Sequence, residues 1–185
     1  MNFIDQTSRY LAQAIRRNNP NAGSEKALFY SLSLMINGLL AIITVLIISV
    51  YTNHIYQALL TIFCYTILRY ISGGTHLSSS LSCCIFTIVI FLIAAHADFP
   101  YYPYGLTLDI LSIFIFFKTA PNNIENISKI DKKYYPLLKG LSILIVASNF
   151  FIQTPVLSAA FITQAWLTTK VGHLVLHYME RRLGT

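Results

Sequence analysis

Apolar residues run along this chain in long blocks separated by short polar connections. Six blocks stand out: roughly Leu28–Val50, Ile55–Ile71, Leu81–Ala97, Leu106–Lys118, Leu137–Ile152 and Val156–His177. About 20 apolar residues wound as a helix cross the ~30 Å hydrocarbon layer of a bilayer, so each block reads as a transmembrane helix. The fourth is the shortest, and its start can be drawn earlier, within Tyr101–Tyr104. Ahead of the first block, residues 2–18 show a different period. Phe3, Ile4, Tyr10, Leu11, Ala14 and Ile15 recur at helical spacing, with Arg9, Gln13, Arg16 and Arg17 between them. Such a helix either lies on an anionic inner leaflet or packs on the bundle. The polar run Asn18–Ser24 ends it, and Pro121–Lys133 reads as the other long loop. There is no internal repeat and no nucleotide-binding glycine motif.

Composition narrows the class. Of 185 residues 55% are hydrophobic and 11% charged, and the mean hydropathy is +0.60. Soluble domains carry ~25% charged residues, so a disordered chain and an ordinary soluble domain are both excluded. The net charge of +6 would point to nucleic acid in a soluble protein. In a membrane protein it marks sidedness instead. Arg9, Arg16, Arg17 and Lys26 precede the first span. Arg69 ends the second. Lys118, Lys129, Lys132, Lys133 and Lys139 flank the fourth connection, and Arg181 and Arg182 follow the sixth span. Twelve of the 13 basic residues therefore fall on alternate connections, and Lys170 lies toward the basic end of the last span. The positive-inside rule turns this into six spans with both termini in the cytoplasm. The expectation is an all-α integral membrane protein of the cell membrane. Residues 1–185 would form a single membrane domain, with an amphipathic helix over 1–20 and a six-span bundle over 28–177. Its medium is the lipid bilayer, and no nucleic-acid partner is expected.

The candidate chemistry lies in residues 69–84, at the cytoplasmic end of spans two and three. Gly73-Gly74 interrupts the apolar run and permits a sharp turn or a close backbone approach. His76 follows, and Cys83 comes seven residues later. On one continuous helix the two would share a face, rotated by only about 20°, with Cα atoms about 10 Å apart. Direct contact requires a bend or a re-entrant path, which Gly-Gly and the run Ser78–Ser80 make feasible. A thiolate is a working nucleophile, an imidazole activates it and protonates a leaving amine, and N–H groups near Gly73-Gly74 could receive an oxyanion. The competing reading is structural, because cysteine is often buried as a small hydrophobe. Free thiols are expected at Cys64, Cys83 and Cys84.

The pattern Arg69-x4-Gly74-x-His76-x6-Cys83 between two spans of a six-span chain resembles the accessory gene regulator B (AgrB) family, membrane cysteine peptidases that process a quorum-sensing propeptide. The basic amphipathic start, the short length and the lysine-bearing loop after Ala120-Pro121 agree with it. The resemblance implies His76 and Cys83 as catalytic residues, with Arg69, Gly73 and Gly74 as substrate-binding or active-site support. It implies a short AgrD-like propeptide as substrate and cyclisation of the product to a thiolactone or lactone. It also leans toward a homodimer. No cofactor and no metal are expected. The chain departs from the family in two places: Leu77 follows the histidine where a small residue is common, and Cys84 doubles the cysteine. Family spacing and helical rotation favour Cys83, since position i+8 turns about 80° away from His76.

Other ionisable residues have ordinary readings. Asp109 lies within the fourth span, with Lys170 as a potential partner. His173, His177 and Glu180 share a helix end, where a metal site is conceivable. His54 and His96 fall on the outer side. Tyr101, Tyr102 and Tyr104 read as an outer aromatic belt. A small transporter or scaffold without covalent chemistry is the alternative function, and against it no pair of similarly broken spans occurs in the two halves.

Overall fold

The computed structural model of the chain describes residues 2–75, 77, 79–122, 124 and 130–183. Their regular structure is helical, joined by short turns, with one isolated bridge between Gly73 and Asn122. Helix α1 covers Phe3–Asn18, α2 Glu25–Tyr51, α3 Ile55–Ser72 and α4 Ser80–Ala95. A wound segment, Tyr101–Gly105, leads into α5, Leu106–Thr119. A short turn at Lys132–Tyr134 continues as α6, Tyr135–Ile152, followed by α7, Pro155–Leu167, and α8, Lys170–Leu183.

Local sequence sets the ends. The Asn2 side chain caps α1 through Asp5 N–H, and the Ser24 hydroxyl caps α2 through Ala27 N–H. Pro155 opens α7 at a position where no N–H is required. Among the described residues three helical stretches are long and apolar enough to cross a membrane: Glu25–Tyr51, Ile55–Ser72 and Lys132–Ile152. α4 and α7 are apolar but shorter.

Side chains sort by lipid rather than by water. Ile43, Ile47, Phe63, Phe117, Leu144 and Phe151 stand exposed, while Ser49, Thr61, Ser112, Ser142 and Gln164 are fully buried. α2 buries Ser33, Asn37, Ala41, Val45 and Ser49, one every four residues. Small residues in such a stripe bring helix backbones close, the usual means of helix association where the surroundings are as apolar as the side chains. With this sorting, the chain is a membrane protein.

α7 takes a different place. None of its residues is exposed. Ala160 belongs to a cluster with Val45, Tyr65 and Phe91, and Phe161 and Ala165 to one with Leu68, Phe116 and Val146. A helix apolar on all sides is a buried one, and α7 is enclosed by its neighbours.

The sixth block differs from expectation, because Val156–His177 is not one helix. The Thr168 hydroxyl donates to Ala165 O (2.7 Å), and the Thr169 hydroxyl donates to Trp166 O (2.7 Å) while accepting Gly172 N–H (3.0 Å). These bonds end α7 and start α8, the competition that threonine hydroxyls offer to a continuing helix. α8 is amphipathic and carries Arg181 and Arg182 in its last turn.

The helix ends gather at two poles. At one, the His54 and His96 rings stack at 4.3 Å, His96 Nε2 meets the Thr52 hydroxyl at 2.8 Å, and Gln153 Nε2 donates to the Tyr102 hydroxyl at 3.1 Å. At the other, the ends of α3, α5 and α7 are bonded together. The apolar segments from α2 to α7 therefore alternate in direction.

α1 packs chiefly on α2, burying Ile4, Ser8 and Ala12, and leaves Phe3 and Tyr10 outside. It thus meets the bundle on one face and keeps exposed aromatic side chains on another.

Candidate active site

α3 ends where Gly73 takes φ +70° and Gly74 φ +123°, conformations that L side chains rarely adopt. A Cβ on Gly73 would run into the Asn122 carbonyl, and one on Gly74 into the Arg69 guanidinium. The glycine pair is therefore required by both conformation and close approach. Gly74 N–H donates to Asn122 O (2.9 Å), Asn122 N–H to Ser72 O (3.0 Å) and Thr75 N–H to Leu167 O (3.2 Å). The Asn122 amide reaches Thr168 O (2.7 Å), and the Thr119 and Thr168 hydroxyls meet at 2.6 Å. Three segments remote in sequence thus close on one another.

Two side chains complete this support. Gln164 of α7 donates to the Ser72 hydroxyl and to Gly73 O, both at 2.8 Å. Half-buried Arg69 directs its guanidinium to Gly73 O (3.4 Å), to Gln164 Oε1 (3.5 Å) and to Thr75 O. Arg69 is here a clamp on main-chain carbonyls, and its guanidinium fork suits that task. The amides of Gly73, Gly74 and Thr75 are all bonded within the fold, Gly73 N–H to Arg69 O at 3.0 Å. They do not offer the oxyanion donors envisaged from the sequence.

Thr75 and Leu77 both line a cavity of about 210 Å³ between α2, α3, α4, α7 and α8. His76 and Ser78 themselves lie outside the described residues. α4 begins only at Ser80, and neither Leu77 nor Ser79 is helical, so the rotational argument for Cys83 over Cys84 loses its basis. Environment separates the two instead. Cys84 is buried, and its thiol donates to Asn37 O at 3.7 Å. Cys83 is partly exposed and lines the first cavity. It also lines a second cavity of about 270 Å³ with Asp5, Tyr30, Ser33 and Ser80. Cys83 thus sits where the two spaces adjoin, in the first turn of α4. The positive end of a helix there favours negative charge developing nearby. All three cysteines are free thiols.

Glu180 of α8, 5% exposed, accepts Ser79 N–H (3.0 Å) and approaches His177 Nδ1 at 3.6 Å. It anchors the last helix to the head of α4. His173 and His177 stack at 4.5 Å, but among the described residues no three His, Cys, Asp or Glu side chains converge as a metal site. Asp109 does not meet Lys170. Its Oδ2 accepts the Tyr101 hydroxyl (3.1 Å) and the Asn149 amide (2.8 Å), both buried. Tyr101 is therefore an internal partner of Asp109, while Tyr102 and Tyr104 are exposed. Asn37, Asn122 and Gln164 were not singled out in the sequence, and Glu180 was read there only with His173 and His177. Each is a lone amide or carboxylate whose partners are distant along the chain.

Residues 8–173 match the family model of accessory gene regulator B. The chain belongs to this family. It is 31% identical over 163 residues to AgrB-like protein 2 of Clostridium perfringens strain 13, covering 82% of this chain and 76% of that protein. To an AgrB-like protein of Clostridium perfringens strain SM101 it is 29% identical over 163 residues, with the same coverage. No solved structure matches the chain significantly. The match contains the whole Arg69–Cys83 segment, both cavity-lining stretches of α2 and α4, and the Asn122 and Gln164 contacts.

Proposed function

We propose that this AgrB-family chain is a cysteine endopeptidase of the cytoplasmic membrane that processes a short AgrD-like propeptide at the inner face. The observation carrying this reading is the placement of Cys83: a partly exposed thiol in the first turn of α4, shared by two adjoining cavities. A clamped glycine segment leads into the same region.

In this reading His76 takes the Cys83 proton, and the sulfur attacks a backbone carbonyl of the propeptide. The tetrahedral adduct collapses, His76 returns the proton to the departing amine, and the C-terminal fragment leaves. The N-terminal part remains as a thioester on Cys83. A Cys or Ser side chain within that fragment then attacks the thioester carbonyl. A thiolactone or lactone forms, and the Cys83 thiol is regenerated. Restricted water in an apolar cavity favours this exchange over hydrolysis. Arg69, Gly73 and Gly74 hold the segment that carries His76. The cationic ends Arg9, Arg16, Arg17, Lys132 and Lys133 set six passes with the site facing inward.

The test uses protein in liposomes with propeptides encoded beside its gene, followed by intact mass. Wild type is expected to gain the mass of the N-terminal fragment and release the remainder. Cys83→Ala is expected to lose processing by several orders of magnitude, as enzymes do without their nucleophile, and Cys84→Ala to keep most of it. Equal processing by wild type and Cys83→Ala would overturn the proposal.

A further inference from the structure

Four buried side-chain polar atoms among the described residues have no hydrogen-bond partner: Asn37 Oδ1, Ser49 Oγ, Thr61 Oγ1 and Asp109 Oδ1. Of these residues, Asn37 lines both of the cavities that adjoin at Cys83. It is 6% exposed, near the middle of α2, and one helical turn from Ser33. Ser33 is partnered, its hydroxyl meeting that of Ser80 at 2.7 Å, and Ser80 in turn donates to Asp5 of α1 at 2.7 Å. The Asn37 main-chain carbonyl accepts the Cys84 thiol, which fixes α2 against α4 at the level of the cysteine pair. Asn37 is thus held in register with the neighbouring Cys83, with an amide oxygen that no described residue satisfies.

Buried amides are costly unless paired, and natural proteins pair nearly all of them. A peptide entering this site brings the complementary group. Its backbone N–H groups leave water for an apolar cavity and need acceptors there. The geometry points to Asn37 as the residue that receives a substrate backbone N–H beside the scissile carbonyl. The chain of the peptide crosses Cys83 from one cavity to the other. On one side its side chain meets Ile42, Phe86, Phe91 and Leu176, which select an apolar residue. On the other it meets Phe29, Tyr30 and Leu34 beside Asp5, Ser33 and Ser80, beneath α1, which suit a residue with an apolar body and a polar end. This inference rests on the peptidase reading and adds to it a backbone anchor and a side-chain preference.

The experiment needs no knowledge of the natural propeptide. Two reagents alkylate thiols by displacing halide: N-acetyl-Leu-Phe chloromethyl ketone, which carries two backbone N–H groups, and iodoacetamide, which has no peptide chain. Labelling at Cys83 is followed by peptide mass in reconstituted wild type, Asn37→Leu and Asn37→Asp. Wild type is expected to react with the chloromethyl ketone at a rate that saturates with concentration. Asn37→Leu is expected to lose saturation and slow at least tenfold, with its iodoacetamide rate unchanged. Asn37→Asp, which keeps an acceptor, is expected to stay within about threefold of wild type. Equal chloromethyl ketone rates in wild type and Asn37→Leu would overturn the inference, as would an unsaturable wild-type reaction. A loss of both labels in both variants would make Asn37 a structural residue and overturn it as well. The propeptide experiment with Cys83→Ala judges the peptidase reading separately, so the two failures are distinguishable.

Discussion

At the scale of single residues, Gly73 and Gly140 answer differently to the same added methyl. Gly73 combines φ +70° with a backbone carbonyl in the path of any Cβ. Strain of this kind costs roughly 1–3 kcal/mol, before the displaced Asn122 loop is counted. Gly140 lies inside α6 with open space where its Cβ would be, and an alanine there gains roughly 0.5–1 kcal/mol of helix stability. Gly73→Ala is therefore expected to lower the melting temperature in detergent and to lose processing, and Gly140→Ala to raise the melting temperature or leave it unchanged, by circular dichroism on both. The need for Gly73-Gly74 was legible because glycine pairs inside apolar runs have few other uses. The clamp around them was not. Gln164 lies 95 positions from Arg69, and a single amide in an apolar helix carries no spacing signal. Tyr101 was misplaced for a related reason: an aromatic belt and a buried donor to Asp109 look alike until the carboxylate is located.

At the scale of elements, hydropathy located each apolar segment because lipid demands apolar surface along the whole exposed face of a helix. It did not locate the break between α7 and α8. That break is made by two hydroxyls, Thr168 and Thr169, within an otherwise apolar window, and averaging over a window erases them. The break lets α8 turn Glu180 toward Ser79, so the last helix supports the head of α4. Removing that acceptor leaves a poorly solvated N–H without its partner, at a cost of about 1–3 kcal/mol. Glu180→Ala is expected to lower thermal stability and slow Cys83 acylation. Glu180→Gln, whose amide oxygen still accepts from Ser79, is expected to retain most of both. Equal losses in the two variants would show that the charge, not the hydrogen bond, is what matters.

At the scale of the whole molecule, the alternating direction of α2 to α7 gives the charge pattern a geometric counterpart. The pole with His54, His96 and Gln153 carries the connections that lack lysine and arginine, and the glycine clamp lies at the other. Six passes predict opposite exposure of the two poles. Cysteines introduced at Asn53 and Gln153, in a background without Cys64, Cys83 and Cys84, are expected to react with a membrane-impermeant maleimide in intact cells. A cysteine at Lys132 is expected to react only after the membrane is opened. Labelling of all three from outside would overturn the six-pass reading.

The enclosure of α7 separates two duties that membrane enzymes commonly mix. The helices facing lipid take up any mismatch with bilayer thickness by tilting or sliding, as exposed helices do. Gln164 and Leu167, which hold the glycine segment, belong to a helix with no exposed residue. The glycine clamp hangs from a helix with no exposed residue, so changes in acyl-chain length reach the outer helices first and the clamp chiefly through them.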